Sequence, residues 1–291
     1  MSIVKQIIWL IIFLLNGIGL MAQQHTEKIV REFTFNRKSP ENVLRIENID
    51  GFVHVVTHNS NKVVLEVERV IKPINPNGLR KAQEELKLEF EVSGDSIISY
   101  LKAPFIHAKR NNPGKGRNLN IDREPDYRFT HNFTVKVPQN TNVSVETINN
   151  GDISIQNLNA NSIVARIING PITLENVSGD LDAKTINGKL TVTYQENPKW
   201  EANLETLNGD IELFYQKALS ATINFSSFNG DLYTDLADLQ KLSPKIEKTN
   251  SSDGAKTTFK VDKATSFRTG GGTAQLNLKT FNGKVIVKSG S

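Results

Sequence analysis

The sequence predicts an all-β protein built as a β-solenoid, and two observations lead to that fold class. An Asn-Gly dipeptide recurs through the second half of the chain at nearly constant spacing. After each of these glycines, apolar and polar residues alternate, which is typical of a half-buried strand. Cysteine is absent from all 291 residues, which excludes disulfide frameworks and thiolate metal sites.

The shared unit of the repeat is an apolar residue, Asn-Gly, a polar residue and then an apolar-polar-apolar strand. Its first five glycines are separated by 19, 18, 21 and 21 residues, and a sixth copy lies near the end of the chain. We predict that the six copies form structural turns through these residues: Asn150, Gly151, Asn169, Gly170, Asn187, Gly188, Asn208, Gly209, Asn229, Gly230, Asn282 and Gly283.

A weaker copy, Ser178-Gly179, lies midway between Gly170 and Gly188 and predicts the second turn of a coil. Two strands of about five residues and two turns fill ~20 residues, so this period favours stacked solenoid coils. Asparagines stacked on successive coils can hydrogen-bond along a ladder. The alternative is an antiparallel β-meander or sandwich, because Asn-Gly also favours hairpins in which glycine takes a positive φ.

The alternation also predicts which side chains point inward. Ile153, Leu190 and Ile211 each follow a turn glycine by two residues, and we expect them in the core. Lys189 and Asp210 follow by one residue, and we expect them in solvent.

Residues 23–138 precede the repeats and are predicted to form an N-terminal β-rich segment with one short helix. Leu79, Ala82 and Leu86 have the spacing of an amphipathic helix within residues 77–87. Asp50-Gly51 is a candidate early copy of the turn. The predicted strands cover residues 53–56, 63–70, 88–92, 96–101 and 129–137, and the basic stretch 107–120 is expected to be an exposed loop. Residues 139–291 hold the repeats, with an insertion at about 236–273.

The first residues predict a secretory signal peptide over residues 1–22. Lys5 precedes the apolar run 7–15, and Ala22-Gln23 provides a cleavage site. Retention as a membrane anchor is the alternative, because residues 3–22 approach the ~20 residues of a membrane span. We therefore expect a periplasmic, surface or secreted protein with no stable membrane span after cleavage. The net charge of +4 is too diffuse to predict nucleic-acid binding.

Candidate metal ligands are sparse in the sequence. His54 and His58 lie four residues apart, but no zinc motif surrounds them, so a packed or solvated pair is the simpler interpretation. Asp152, Asp180, Asp210 and Asp231 follow or flank turns, but the glycine-rich calcium repeat is absent. We predict no metal ligands and no cofactor.

Candidate catalytic groups are no better marked. Carboxylates such as Glu175 and Asp180 are numerous, but nothing in the sequence marks a catalytic pair, and the Gly-x-Ser-x-Gly elbow is missing. We therefore predict no catalytic residues and no enzyme. A basic group could touch acidic glycans or lipid headgroups, although a solvated loop is the simpler interpretation; it comprises Lys109, Arg110, Lys115 and Arg117.

The order of these elements resembles a known family. Strands, a short helix, a strand ending at Val137-Pro138 and iterated Thr-x-Asn-Gly turns resemble the putative-adhesin family of bacterial envelope β-strand-repeat proteins. They are also similar to the related head GIN domain of putative adhesins. The resemblance covers most of residues 30–290, and it implies an exported, largely β-helical protein on or near the cell surface. It implies no reaction and no active-site residues.

Together, these observations predict an exported, non-enzymatic envelope or surface protein of adhesin-like type. Its elongated repeat surface would bind an envelope protein or a glycan, neither of which the sequence identifies, and no oligomeric state is predicted. The alternatives are a carbohydrate-active β-helix enzyme, and an envelope structural or sensing component without a ligand.

Overall fold

The computed structural model of the protein describes residues 24–109, 118–216, 218–244, 246–250, 257–261 and 264–290. The predicted signal peptide lies outside these ranges. Within them, no helix is long and apolar enough to cross a membrane. The described elements are helix α1 (Gly78–Glu85) and strands β1 (His25–Thr34), β2 (Val43–Glu47), β3 (Val53–His58), β4 (Lys62–Pro73), β5 (Lys87–Ser93), β6 (Ser96–Lys102), β7 (Ile106–Lys109), β8 (Asn118–Ile121), β9 (Tyr127–Pro138), β10 (Asn142–Glu146), β11 (Ile153–Gln156), β12 (Asn159–Asn169), β13 (Ile172–Asn187), β14 (Leu190–Tyr194), β15 (Glu201–Asn208), β16 (Ile211–Tyr215), β17 (Ala221–Ser226), β18 (Leu232–Thr234), β19 (Gln240–Lys241), β20 (Ile246–Asn250), β21 (Thr257–Val261), β22 (Thr265–Thr269), β23 (Ala274–Asn282) and β24 (Val285–Ser289).

The repeats form parallel coils, and the predicted all-β solenoid is confirmed. Asn187 of β13 pairs in parallel with Asn169 of β12 on one side and with Asn208 of β15 on the other. The same turn residues therefore lie in register on neighbouring coils. The antiparallel meander is wrong for the repeats, because their strands pair in parallel.

Each coil gives one strand to each of two facing sheets. The first sheet has the order β1-β4-β9-β3-β11-β13-β14-β16-β24-β18. The second sheet has the order β5-β6-β2-β10-β12-β13-β15-β23-β17-β22-β19. The long strand β13 belongs to both sheets, because its first half pairs with β11 and its second half pairs with β12.

The passage of β13 between the sheets lies at Gly179, where the sequence predicts a turn. The strand continues through this position as a corner, with a φ of +108° at Gly179. A Cβ atom there would lie 1.9 Å from the carbonyl oxygen of Ala160 on the preceding coil. Only glycine therefore fits this corner.

The space between the two sheets is the main hydrophobic core. Ile153, Leu190 and Ile211 are fully buried in it, as the alternation predicts. Lys189 points outward and pairs with Glu212 at 2.7 Å. Inward columns of Ile, Leu, Val and Ala thus run along the whole stack of coils.

Two of the turn glycines, Gly188 and Gly209, are required by close stacking rather than by positive φ. A Cβ atom at Gly188 would lie 2.0 Å from the carbonyl oxygen of Gly170, and one at Gly209 would lie 2.0 Å from that of Gly188. Gly188 and Gly209 are not among the positive-φ glycines. The positive φ that glycine takes in the hairpins of a meander is therefore not what requires glycine at these two positions.

The order of the coils in space differs from their order along the chain. The coil of β23 and β24, which is last in sequence, lies between the coil of β15 and β16 and the coil of β17 and β18. β22 and β19 then extend the second sheet beyond β17. Much of the segment between β16 and β23 therefore forms the outer end of the solenoid, and the chain returns inside it.

The N-terminal segment supplies a further coil and a cap. β2 and β3 stack on β10 and β11, and Asp50 forms a parallel bridge with Asn149, so the turn at Asp50-Gly51 joins the stack. We call residues 71–86, 101–107 and 119–129 the N-terminal cap, because they pack around a second buried cluster. The helix in it covers residues 78–85, within the predicted 77–87. The stretch 107–120 is not entirely a loop, since β7 and β8 pair at its two ends.

Candidate binding surface

A row of apolar side chains runs along the outer face of the second sheet, beside the Asn-Gly turns. Each member immediately precedes the asparagine of an Asn-Gly turn, except that Ile148 precedes Asn149 and Ile49 precedes Asp50 in the first two coils. Alternation along a strand sends the residue before it, which is threonine in four of the seven cases, inward and the row member outward. We call this set the apolar row: Ile49, Ile148, Ile168, Ile186, Leu207, Phe281 and Phe228, in spatial order.

Five members of the apolar row lie in solvent, and we call them the bare row. Their exposed fractions are 39% for Ile168, 41% for Ile186, 45% for Leu207, 44% for Phe281 and 73% for Phe228. The rings of Phe281 and Phe228 stack at the far end, with centroids 4.8 Å apart and planes inclined by 3°. Single exposed apolar residues are ordinary, but a contiguous set marks an interaction surface.

Of the other two members of the apolar row, Ile49 is covered by the N-terminal cap and Ile148 is partly covered. Ile49 is only 5% exposed, and Ile148 packs against the same buried cluster. Phe105 and Leu86 of the cap belong to that cluster. The cap therefore stops after the second coil and leaves the rest of the row open.

The bare row forms the floor of a groove of about 1220 Å³. Leu119 and Ile121 of β8 line the groove at the cap end, and Phe228 lines it at the other. Ile121 is itself 45% exposed, so the cap adds apolar surface to the groove. The arrangement is an apolar channel that runs across the strands.

A charged row borders the groove on the side away from the turns. Arg166 forms an ion pair with Asp182. Lys184 and Lys279 both pair with Glu205, at 3.5 Å and 2.6 Å. Partial burial alone would raise the pKa of Glu205, but the hydrogen bond from Lys279 and the charges of both lysines outweigh it, so this pKa lies below its usual value. Two ammonium groups thus share one carboxylate beside the groove.

An asparagine ladder borders the groove on the side of the turns. Five side-chain amide hydrogen bonds of 2.7–2.9 Å join its six members, Asn149, Asn169, Asn187, Asn208, Asn282 and Asn229. Asn150, which we predicted as a turn residue, lies beside the ladder and donates to Asp50. Thr185 and Thr206 anchor the turns by donating to the carbonyl oxygens of Gly170 and Gly188 on the neighbouring coil. The ladder holds the groove floor at a fixed spacing.

The two candidate histidines do not form a joint site. The His54 ring stacks on Phe52 with centroids 4.1 Å apart, and its Nε2 atom lies 2.9 Å from a carboxylate oxygen of Asp152. His58 instead contacts the carbonyl oxygen of Lys62 at 2.6 Å. Within the described ranges, no group of three or more His, Asp or Glu side chains could hold a metal ion.

The candidate carboxylates are engaged in turns and on different sheets. Asp210 accepts a hydrogen bond from the backbone N–H of Lys284, and Asp180 accepts one from that of Glu201. Glu175 lies on the first sheet, whereas Asp180 lies on the second. The structure therefore does not bring Glu175 and Asp180 together as a pair.

Most of the remaining candidate residues lie outside the residues that the structure describes. Of the predicted basic group, three residues lie outside the described residues: Arg110, Lys115 and Arg117. The fourth, Lys109, is the last residue of β7. Asp231 lies in its turn, where its carbonyl oxygen accepts the backbone N–H of Val285.

Sequence reasoning missed the bare row, although a signal for it was present. An apolar residue directly precedes Asn-Gly in five of the six copies, and in the first copy Ile148 lies one residue further back. Alternation places the residue that follows the inward threonine on the outer face, where an apolar side chain is not needed for folding. A repeated apolar residue at an outward position is the signal.

The repeat also identifies the family. The sequence profile described as Toastrack DUF4097 matches residues 117–265, about half of the chain. The chain belongs to the Toastrack DUF4097 family. This confirms the resemblance to putative-adhesin repeat proteins.

Several solved structures are similar to this Toastrack chain. One is described as a putative cell adhesion protein from Clostridium sporogenes, with 10% identity and a TM-score of 0.45, covering 91% of this chain and 100% of that one. Another is described as a putative adhesin from Bacteroides fragilis, with 12% identity and a TM-score of 0.41, covering 90% and 97%. A third, from Parabacteroides distasonis, is described as a putative lipid binding protein, with 11% identity and a TM-score of 0.25, covering 90% and 97%. At these values the likenesses say nothing about what the Toastrack chain binds. No curated protein matches it.

Proposed function

We propose that the chain is an exported, non-enzymatic envelope or surface protein of adhesin-like type, which binds its partner on the bare row. The bare row carries this proposal. An exposed apolar patch of a few hundred Å² with a polar rim is a mark of an interaction site. Here the rim consists of the charged row on one side and the asparagine ladder on the other.

The geometry of the other candidate groups supports the non-enzymatic part of the proposal. A carbohydrate-active enzyme needs two carboxyl groups on either side of one glycosidic bond. Glu175 and Asp180 lie on different sheets, and Asp152 is engaged with His54. The candidate groups thus have structural partners in the fold.

The export part of the proposal is supported by the signal-like sequence of residues 1–22. We expect the mature protein to begin at Gln23, because Ala22 is the small residue before the polar segment. Mass spectrometry of the protein isolated from the cells that produce it measures this directly. Membrane-bound protein that still begins at Met1 would show that the segment is retained as an anchor.

The binding part is tested with labelled mature protein and isolated cell envelopes. Leu207→Asp places a charge in the middle of the bare row and should abolish attachment. Val92→Asp is the matched control, because Val92 has the same 45% exposure as Leu207 and lies on β5, outside the groove lining. Equal attachment of both variants and the parent would overturn the bare row as the binding surface.

A further inference from the structure

The asparagine ladder is built on a dipeptide that can modify itself, since five of its six asparagines are followed by glycine. In Asn-Gly, the backbone nitrogen of glycine can attack Cγ of the asparagine, because glycine has no Cβ atom to hinder the approach. The new carbon–nitrogen bond closes a succinimide ring as ammonia leaves, and water then opens the ring to aspartate or isoaspartate. The reaction requires that the glycine nitrogen and the asparagine side chain are free to approach each other.

Inside the ladder, both reacting groups are held by the neighbouring coils. The N–H of Gly188 donates to the carbonyl oxygen of Asn208 at 3.0 Å, and the N–H of Gly209 donates to that of Asn282 at 2.9 Å. The side-chain oxygen of Asn208 accepts from Asn282, and its amide nitrogen donates to Asn187. These hydrogen bonds must break before the ring can close. The same two constraints hold at the other interior units, Asn169-Gly170 and Asn282-Gly283.

The unit Asn229-Gly230 ends the ladder and lacks both constraints. Asn229 donates its amide to Asn282 at 2.9 Å. Among the described residues, however, nothing donates to the side-chain oxygen of Asn229, and the N–H of Gly230 has no acceptor. Gly230 is also exposed, whereas the other five turn glycines are half-buried. The glycine nitrogen and the side-chain carbonyl of this unit are therefore both open to water.

One other repeat turn has a glycine N–H without an acceptor in the described ranges, and it is held in a different way. The amide of Asn150 donates to the carboxylate of Asp50 at 2.6 Å. Gly151 is half-buried, because it packs against the backbone of Gly51. A hydrogen bond to a carboxylate is stronger than one between two amides. The side chain of Asn150 is therefore held more firmly than that of Asn229.

We propose that Asn229 is a modification site, which the folded protein converts to aspartate or isoaspartate by attack of the Gly230 nitrogen and hydrolysis by water. The product places a negative charge beside Phe228, which is 73% exposed at the far end of the bare row. It also removes the amide that donates to Asn282. Isoaspartate further lengthens the main chain by one methylene where Gly230 stacks closely on Gly283. The reaction thus alters the far end of the groove.

Asn208 is the control within the same chain, because its local sequence is nearly identical. Leu-Asn-Gly-Asp-Ile surrounds Asn208, and Phe-Asn-Gly-Asp-Leu surrounds Asn229. The two asparagines should therefore react at similar rates in the unfolded chain. In the folded protein, Asn208-Gly209 has two more hydrogen bonds to break, each corresponding to a factor of roughly five. We therefore expect Asn229 to react at least about tenfold faster than Asn208.

The test is peptide mapping by mass spectrometry after incubation of the purified protein at mildly alkaline pH in water enriched in oxygen-18. Each asparagine converted during the incubation gains one heavy oxygen when water opens the ring. We expect conversion at Asn229 to exceed that at Asn208 and Asn150 in the folded protein, and Asn229 and Asn208 to convert at similar rates in urea. Equal rates at Asn229 and Asn208 in the folded protein, or faster conversion at Asn150, would overturn the proposal.

The variant Asn229→Ala tests whether the ladder protects the interior units. It removes the reactive amide and its hydrogen bond to Asn282, but it keeps the backbone carbonyl that accepts the N–H of Gly283. The fast conversion should disappear, and conversion at Asn282 should rise by a factor of roughly five. Asn187, three steps away in the ladder, should keep its rate. An unchanged rate at Asn282 would overturn the ladder as the origin of the difference between Asn229 and Asn208.

Discussion

The two ends of the apolar row provide a comparison within one molecule. Ile49 and Ile186 are the same residue type at the same position of the coil. Ile49 is 5% exposed beneath the cap, whereas Ile186 is 41% exposed in the groove. The first contributes to a buried cluster, and the second has no comparable cover in the described structure. One repeat position therefore serves stability at one end and is exposed to solvent at the other.

The inner face of the coils differs from both ends of the apolar row, because it is buried throughout. We expect Leu190→Asp to give the largest loss, more than about 3 kcal/mol in the free energy of unfolding. It removes a fully buried leucine and places an unpaired carboxylate between the sheets. Urea unfolding of the purified mature protein measures this loss.

Lys189→Asp is the control for this prediction, because Lys189 is the outward neighbour of Leu190. It loses an exposed ion pair with Glu212, which is worth about 0–1 kcal/mol. If Lys189→Asp were the more damaging of the two, the inward and outward assignments of the coil would be reversed.

At the covered end of the apolar row we expect the next largest loss in the free energy of unfolding. Ile49→Ser should lower the free energy of unfolding by about 2–4 kcal/mol, because it leaves a cavity in the cap cluster. It also places a hydroxyl among apolar side chains. Urea unfolding, followed by circular dichroism, measures the change. A loss below about 0.5 kcal/mol, as at exposed sites, would show that the cap does not hold Ile49 tightly.

Much of the coil could be predicted from the sequence, because local pattern determines it. Alternation about each glycine predicts that Leu190 points inward and Lys189 outward, and both do. The stacking of Asp50-Gly51 on the repeats also followed from its similarity to the later turns. These features depend on a few neighbouring residues.

The order of the coils and the bare row could not be predicted in the same way. All Asn-Gly units offer the same edges, so the sequence does not distinguish whether Asn282 or Asn229 follows Asn208 in the stack. The structure places Asn282 there, because the long segment before β23 lets the chain return. Exposure of Ile186 depends on where the cap ends, which is set by packing between segments distant in sequence.

The covered end should also be sensitive to acid through His131. This side chain of β9 is fully buried, contacts Phe129, and has no hydrogen-bond partner at either ring nitrogen within the described residues. Burial, helped by the charge of Arg69, lowers the pKa of His131 to about 3. The unfolded chain, with a pKa near 6.5, therefore binds a proton that the folded chain does not.

This contribution to stability is complete above about pH 6.5 and is lost as the pH falls from there toward 3. The expected loss is about 1.4 kcal/mol per pH unit, or ~2 kcal/mol between pH 6.5 and 5. Urea unfolding of the parent and of His131→Leu at pH 7, 6 and 5 isolates this effect from that of the carboxylates. Parallel pH profiles of the two proteins would contradict the assignment.

The bare end should give the smallest effect on stability. Ile186→Ser removes a side chain that is 41% exposed, leaves no enclosed cavity and retains a residue compatible with a strand. We expect a change of less than about 0.5 kcal/mol in the free energy of unfolding, compared with about 2–4 kcal/mol for the same substitution at Ile49. Both variants are measured by urea unfolding under one set of conditions, together with envelope attachment.

If Ile186→Ser kept its stability and lost attachment, the isoleucine at this position would be present for binding alone. If instead Ile186→Ser destabilised the protein as much as Ile49→Ser, the two ends of the apolar row would be equivalent, and Ile186 would be a structural residue whose exposure has no functional meaning.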